Sequence, residues 1–171
     1  MDEHDSAEVG RLVEGAAATV ATAGSCWLAS AGRTGVPRLR PMGRLPPKAG
    51  DDVWTFRFVT DGRSGKAANI RRAGKVVLVF QREAEDSFVA VTGAARLEER
   101  ESEIRRRWKR AYDPFFPTEA DKAAAVFLTV DADRLDLWIR GVTPEPFGLT
   151  TTTLLRVPGG DWRLAAEGEG A

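Results

Sequence analysis

The chain has 171 residues, 43% hydrophobic and 29% charged, with 25 basic and 25 acidic side chains that cancel to a formal net charge of zero. That balance gives no global field for nucleic acid or an anionic membrane, and no apolar run approaches the roughly 20 residues that span a bilayer. One cysteine, Cys26, and one histidine, His4, exclude an internal disulfide, a Ser-His-Asp triad, a Cys-His pair and a multi-histidine zinc site.

The opening MDEHDSAE is acidic and polar, unlike a secretion signal, so a cytoplasmic protein is expected, with His4 in a disordered tail. Val9, Leu12, Val13, Ala16, Ala17 and Val20 recur at helical spacing and predict an amphipathic helix over 7–22. A strand over 26–30 follows, with Cys26 as a buried small hydrophobe. The turn Ala31-Gly32-Arg33-Thr34-Gly35 leads into a second strand over 36–45. Aromatic and β-branched residues predict a third strand over 53–60. After the polar loop 61–65 comes a short helix over 66–73, ended by Gly74. The run Val76-Val77-Leu78-Val79-Phe80 predicts a strand over 75–81 buried on both faces. A strand over 88–97, a charged helix over 98–112, a break at 113–117, and strands over 125–130 and 134–140 complete the core. The stretch 150–164 reads as a hairpin around Pro158-Gly159-Gly160, and 167–171 as a loose end. Short turns favour antiparallel pairing, and so many strands tend to curl closed and remove their edges. The expected fold is therefore mainly β, an antiparallel β-barrel with flanking helices, in one domain.

The chemistry concentrates at Thr60-Asp61-Gly62-Arg63-Ser64-Gly65-Lys66, where a strand passes through a Gly-containing turn into a helix. The first amides of a helix lack partners and lie at the positive end of its dipole, so such a turn is a natural anion site. Thr60, Ser64, Lys66 and Arg63 furnish hydroxyls and cations. Ser64-Gly65-Lys66 looks like the end of a triphosphate-binding loop, but Thr60 replaces the first glycine and Ala67 the magnesium-holding hydroxyl, which excludes that reading. The plainer alternative is that Ser64 only caps the helix and Lys66 is a solvated surface charge. A second element bears on the choice. Alternation puts Arg38, Arg40 and Met42 on one strand face, and an inward arginine requires an anion, unless that face of an edge strand is solvent.

In this order the segments resemble the pyridoxamine-phosphate-oxidase-like FMN-binding split-barrel superfamily, nearest its general-stress-protein branch. The likeness runs over about residues 8–140. It is carried by Arg40-Pro41-Met42, the Thr60-x-x-x-Ser64-x-Lys66 loop, Asn69-Ile70-Arg71 leading to Gln81, Val89-x-Val91-x-Gly93, Trp108 to Pro117, and Leu137-Trp138. The resemblance implies a Greek-key split barrel and a homodimer with FMN at the subunit interface. It implies Arg40 and Lys66 at the flavin phosphate, with Ser64 and Thr60 as hydroxyl donors. The backbone of Pro41-Met42 and Val59-Thr60 would line the ring, Gln81 would be a polar contact, and Trp138 would reach the flavin from the partner, plain core packing being the alternative for Trp138. It implies a flavin-dependent oxidoreductase acting on a small molecule; a non-catalytic stress or redox sensor, or use of a deazaflavin coenzyme, are the alternatives.

One departure from the family pattern is decisive for substrate. True pyridoxamine-phosphate oxidases place an Arg-x-His pair just after the strand tryptophan, whereas Trp138 here precedes Ile139-Arg140-Gly141-Val142. Vitamin B6 oxidation is therefore not expected. The charged stretch around Arg105-Arg106-Arg107 orders acid before base, as a solvated helix does, with Ile104 and Trp108 as its buried side. Without an aromatic platform it is not read as an RNA site. The segment 141–171 lies beyond the resemblance.

Overall fold

The computed structural model describes residues 3–166 and 168–169; of the expected loose end, Glu167, Gly170 and Ala171 lie outside them, while Glu169 pairs with Arg163 at 2.7 Å. The first helix, α1 (Glu3–Thr22), begins earlier than the periodicity predicts, so His4 belongs to the helix and not to a disordered tail. Its buried residues Val9, Leu12, Ala16 and Val20 form the expected stripe. Among the described residues, no helix is long and apolar enough to cross a membrane.

Eight strands form one antiparallel sheet: β1 (Ser25–Ala31), β2 (Pro37–Gly43), β3 (Thr55–Asp61), β4 (Lys75–Arg82), β5 (Ser87–Glu98), β6 (Ala125–Ile139), β7 (Thr152–Arg156) and β8 (Trp162–Leu164). The order is β2-β1-β4-β5-β6-β7-β8, with β3 paired to the first half of β6. The sheet curls but stays open between β2 and β3. Just past β2, the Leu45 amide donates to the Arg57 carbonyl at 2.8 Å and bridges that gap. This is the split-barrel architecture. Phe56, Phe58, Phe80, Leu28, Leu78, Leu128 and Leu135, all fully buried, fill its interior. The predicted hairpin over 150–164 forms, and its Leu154 and Trp162 extend the same core.

Two expectations need correction. The strands predicted over 125–130 and 134–140 are one, because the polar interruption Asp131-Ala132-Asp133 is absorbed by a bulge. Thr92 pairs Arg134 and Gly93 pairs Ala132, leaving Asp133 as the extra residue, and its carboxylate meets Lys75 at 3.2 Å. The charged helix shortens to α3 (Glu101–Arg107); Glu98 remains in β5, and Trp108 is already extended. A 3-10 segment (Arg110–Phe115) and α4 (Glu119–Ala124) follow, the latter started by a capping box between Thr118 and Asp121 that Thr-x-x-Asp announces. Ile104, Tyr112, Phe116, Ala125 and Phe127 make a second small core under these helices, with Trp108 packed against it.

Burial of β4 also departs from expectation. Val76, Leu78 and Phe80 are buried, but Val77 and Val79 are only half covered. They belong to an outer face running Leu39–Ala29–Val77–Thr92 and Pro41–Trp27–Val79–Ala90, with Gln81–Phe88–Trp138 beside it. On that face Leu39 is 58% and Trp27 45% exposed, an apolar surface far larger than single scattered residues.

Candidate functional site

The helix α2 (Gly65–Ala73) starts just after β3 ends and packs against β1, β4 and β5. Asp61 accepts from the Arg63 amide at 2.7 Å and tightens the turn. Ser64 is the N-cap, its hydroxyl accepting from the Ala67 amide at 3.2 Å. The capping role expected of Ser64 is thus real. The Gly65 and Lys66 amides, in the first turn, have no acceptor within the helix.

Lys66 is not a solvated surface charge. It is half-buried, and its ammonium donates to the Met42 sulfur at 3.3 Å. Across from it on β2, alternation puts Arg38, Arg40 and Met42 on the barrel side, as expected, with Met42 buried. Arg40 reaches the Ser30 hydroxyl at 3.5 Å and the Arg38 carbonyl at 3.4 Å. Asn69, buried in α2, donates to the same Ser30 oxygen at 3.2 Å. Arg40, Lys66 and Ser64 therefore line one cavity of about 500 Å³, shared with Arg33, Thr34, Arg38 and Asn69. Among the described residues, four cations and no carboxylate line it.

Burial and like charge both act on these two cations, and at Lys66 Asp61 offsets only part of the effect. Burial lowers the pKa of Lys66 from its ordinary value, and the neighbouring Arg40 guanidinium lowers it further. Arg40 is lowered for the same reasons, burial first and then Arg38. Packing like charges out of water is unfavourable unless an anion joins them. A phosphate dianion, met by an ammonium, a guanidinium and the helix-start amides, fits this donor set.

The other expected residues divide. Thr60 is buried on the core face of β3 and does not line the cavity, so its hydroxyl is not part of the donor set. Val59 faces the opposite way, against the second core, leaving only backbone at 59–60 for a ring contact. Arg63 is also turned away, held by Asp61 at 2.7 Å and Asp121 at 2.8 Å. Pro41, Gln81 and Trp138 lie on the outer face; the Gln81 amide donates to Glu83 at 3.2 Å. Trp138 is separated from Arg40 by β1, β4 and β5 in the sheet order and lies on the outer face, whereas Arg40 lines the cavity with Lys66. Arg140 is paired with Asp86 at 2.7 Å and stacks over Phe147 at 4.4 Å.

Sequence reading missed Arg33, Thr34, Ser30 and Asn69 as a group. Ser30 carried a signal, since it is the polar member of the inward alternation Cys26-Leu28-Ser30. The Arg33 position depends on how the β1–β2 hairpin curls over β2, which no local pattern encodes.

Comparison with known proteins agrees with this architecture. A protein from Clostridium acetobutylicum related to general stress protein 26 of the pyridoxinephosphate oxidase family is 17% identical, with a TM-score of 0.62 over 91% of this chain and 96% of that one. A pyridoxamine 5'-phosphate oxidase-related, FMN-binding protein from Nostoc punctiforme is 15% identical, with a TM-score of 0.63 over 97% of each chain. General stress protein 26 from Bacillus anthracis is 17% identical, with a TM-score of 0.57 over 74% of this chain and 93% of that one. At these identities the likeness carries the fold. A search of curated proteins finds no match. The family model described as pyridoxamine 5'-phosphate oxidase like matches residues 13–144, three quarters of the chain and both sides of the cationic cavity, and the chain belongs to that family.

Proposed function

We propose that the protein binds FMN, gripping its phosphate between Arg40, Lys66 and the start of α2, and acts as a flavin-dependent oxidoreductase on a small organic molecule. The observation that carries this is the half-buried Arg40–Lys66 pair, which shares a cavity with no carboxylate. The family supports a flavin or a deazaflavin; the compact phosphate clamp favours FMN. Bound flavin supplies hydride transfer, and no side-chain nucleophile is needed. The protein's own residues orient it. Lys66 and Arg40 would fix the phosphate end, Ser30, itself held by Asn69, accepts from the Arg40 guanidinium, and the Met42 sulfur accepts from the Lys66 ammonium.

We further propose a homodimer formed through the outer sheet face, in which Trp138 of one copy approaches the flavin of the other. The exposure of Trp27 and Leu39 supports it, as does the place of Trp138 on that same outer face. A second reading, a deazaflavin coenzyme, is favoured by one observation: Arg33 and Arg38 add cations beyond the two that a single phosphate needs.

The visible spectrum of the purified protein tests the assignment. Yellow flavin absorbance that is lost in Lys66→Ala agrees with it; a colourless protein that does not take up added FMN overturns it. Acceptor-dependent reoxidation of the reduced protein separates an enzyme from a non-catalytic sensor in the general-stress-protein branch.

A further inference from the structure

A second cavity, of about 410 Å³, opens between the outer face of β3 and β6, the 45–49 segment and the end of α3. Its walls are aromatic and apolar. Trp108, Tyr112 and Phe127 face Leu45, Pro46 and Pro47. Trp108 stands perpendicular to Tyr112, with ring centroids 5.6 Å apart.

Its charged lining is entirely cationic, with Thr129 as a neutral polar neighbour. Lys48, Arg57, Arg106, Arg107 and Lys109 border it, and among the described residues no carboxylate does. Four carboxylates stand behind them: Asp51, Glu103, and Glu98 and Asp131, which lie near Arg107 and Arg57. Asp51 is taken up by Arg57 through two bonds of 2.8 and 2.7 Å. Glu103 is divided between Arg106 at 2.6 Å and Arg107 at 3.1 Å. Five cations thus line the cavity, and the four nearby acids stand behind them rather than in it. The Arg107 Nε is buried and has no hydrogen-bond partner, while its guanidinium lies 5.9 Å from the Phe127 ring. A buried N–H left without an acceptor is unfavourable and rare. The Lys48 ammonium, on an exposed loop, is lowered from its ordinary pKa by partial loss of water and by Arg107, Arg57 and Arg106, against the opposing pull of Asp51.

We propose that this cavity binds a small aromatic carboxylate, its ring among Trp108, Tyr112 and Phe127 and its carboxylate between Lys48 and Arg107. The volume suits a small ligand. A neutral aromatic would fill the walls and leave the Lys48 ammonium and the Arg107 Nε without an anion. An inorganic anion would pair the cations and leave the aromatic walls wet. A planar carboxylate on a ring answers both, and matches the flat guanidinium fork. The site uses none of the residues of the flavin cavity, so it stands independently of the flavin reading.

Isothermal titration of the full-length protein with benzoate, benzamide and inorganic phosphate tests the proposal. Benzoate is expected to bind with a Kd of about 1 mM or tighter, at least about tenfold tighter than the other two, and to change tryptophan fluorescence through Trp108. Lys48 is exposed on a loop, so Lys48→Met should keep the fold, the melting temperature and any flavin colour while weakening benzoate about tenfold. Equal binding of benzoate and benzamide, equal binding of benzoate and phosphate, no benzoate binding, or undiminished binding by Lys48→Met would each overturn it. Flavin absorbance of the same samples reports the other cavity separately. A colourless protein that binds benzoate fails the flavin reading alone, and a yellow one blind to benzoate fails this proposal alone.

Discussion

Lys66 is half-buried beside Arg40 with no carboxylate lining the same cavity, so on folding its ammonium loses water and gains a repulsive neighbour. Its pKa in the folded chain therefore lies below the unfolded value. The unfolded chain holds the proton more tightly, so stability of the flavin-free protein rises with pH as Lys66 deprotonates, from its lowered folded pKa up to the ordinary value of 10.5. Below that window the penalty is present in full. Lys66→Met keeps the apolar stem and removes the charge. It is expected to raise the melting temperature of the flavin-free protein at neutral pH and to flatten that rise with pH. The same change removes a charge-assisted bond to phosphate, worth about 2 kcal/mol, so FMN affinity should fall roughly thirtyfold in a fluorescence titration. A residue that destabilises the empty protein and tightens the loaded one is a binding residue; if Lys66→Met loses stability instead, the ammonium has a partner and the phosphate role fails. Asp51 makes the opposite case. The Arg57 guanidinium holds its carboxyl far below the usual range, so the pair stabilises above the ordinary carboxylate pKa and weakens as acid approaches the lowered one. Asp51→Ala strands a mostly covered Arg57 and should cost about 2 kcal/mol in a denaturant titration at neutral pH.

At the scale of elements, the β5–β6 ladder depends on one glycine. A Cβ at Gly93 would sit 2.5 Å from the Asp131 carbonyl oxygen and 2.9 Å from Val130, and backbone cannot yield there without opening the bulge. Gly93→Ala is expected to destabilise by about 2 kcal/mol, read as a lower denaturant midpoint, while the neighbouring surface change Thr92→Ser should be near neutral. The Val89-x-Val91-x-Gly93 pattern was visible in the sequence, but the bulge opposite it was not, because a bulge is set by pairing between strands distant in the chain. For the same reason β6 reads as two strands: Asp131 and Asp133 look like a break until Thr55, Arg96 and Lys75 are found beside them. Local signals did better where the physics is local. The α1 stripe, the Ser64 cap and the Gly74 terminator, in the left-handed conformation at φ 62°, all follow from spacing and residue type. The cationic cavity was half legible. Arg40 and Lys66 could be placed at a helix start and on a strand face, whereas Thr60 and Arg63 could not be sorted from them without knowing which way the turn projects each side chain.

For the whole molecule, the proposed dimer through the outer sheet face would tie assembly to function. A run as apolar as Val76 to Phe80 reads as covered on both sides, yet the single chain covers only one, leaving Val77 and Val79 half-exposed beside Trp27 and Leu39. A second copy docked there would complete the burial that the sequence pattern expects, and would place Trp138 of one copy in the interface with the other. Trp27 points away from the core, so Trp27→Glu should leave the barrel and its circular dichroism intact. A carboxylate on each copy, brought towards its symmetry mate in an apolar interface, should shift the protein to monomer in sedimentation equilibrium. If the flavin is completed by the partner, that monomer should also bind FMN about tenfold or more weakly although Arg40 and Lys66 are untouched, and Trp138→Ala should weaken FMN while leaving the dimer in place. A Trp27→Glu protein that stays dimeric moves the interface elsewhere. A monomer that keeps full FMN affinity separates the two ideas, leaving the phosphate cavity self-sufficient and Trp138 without a role at the flavin.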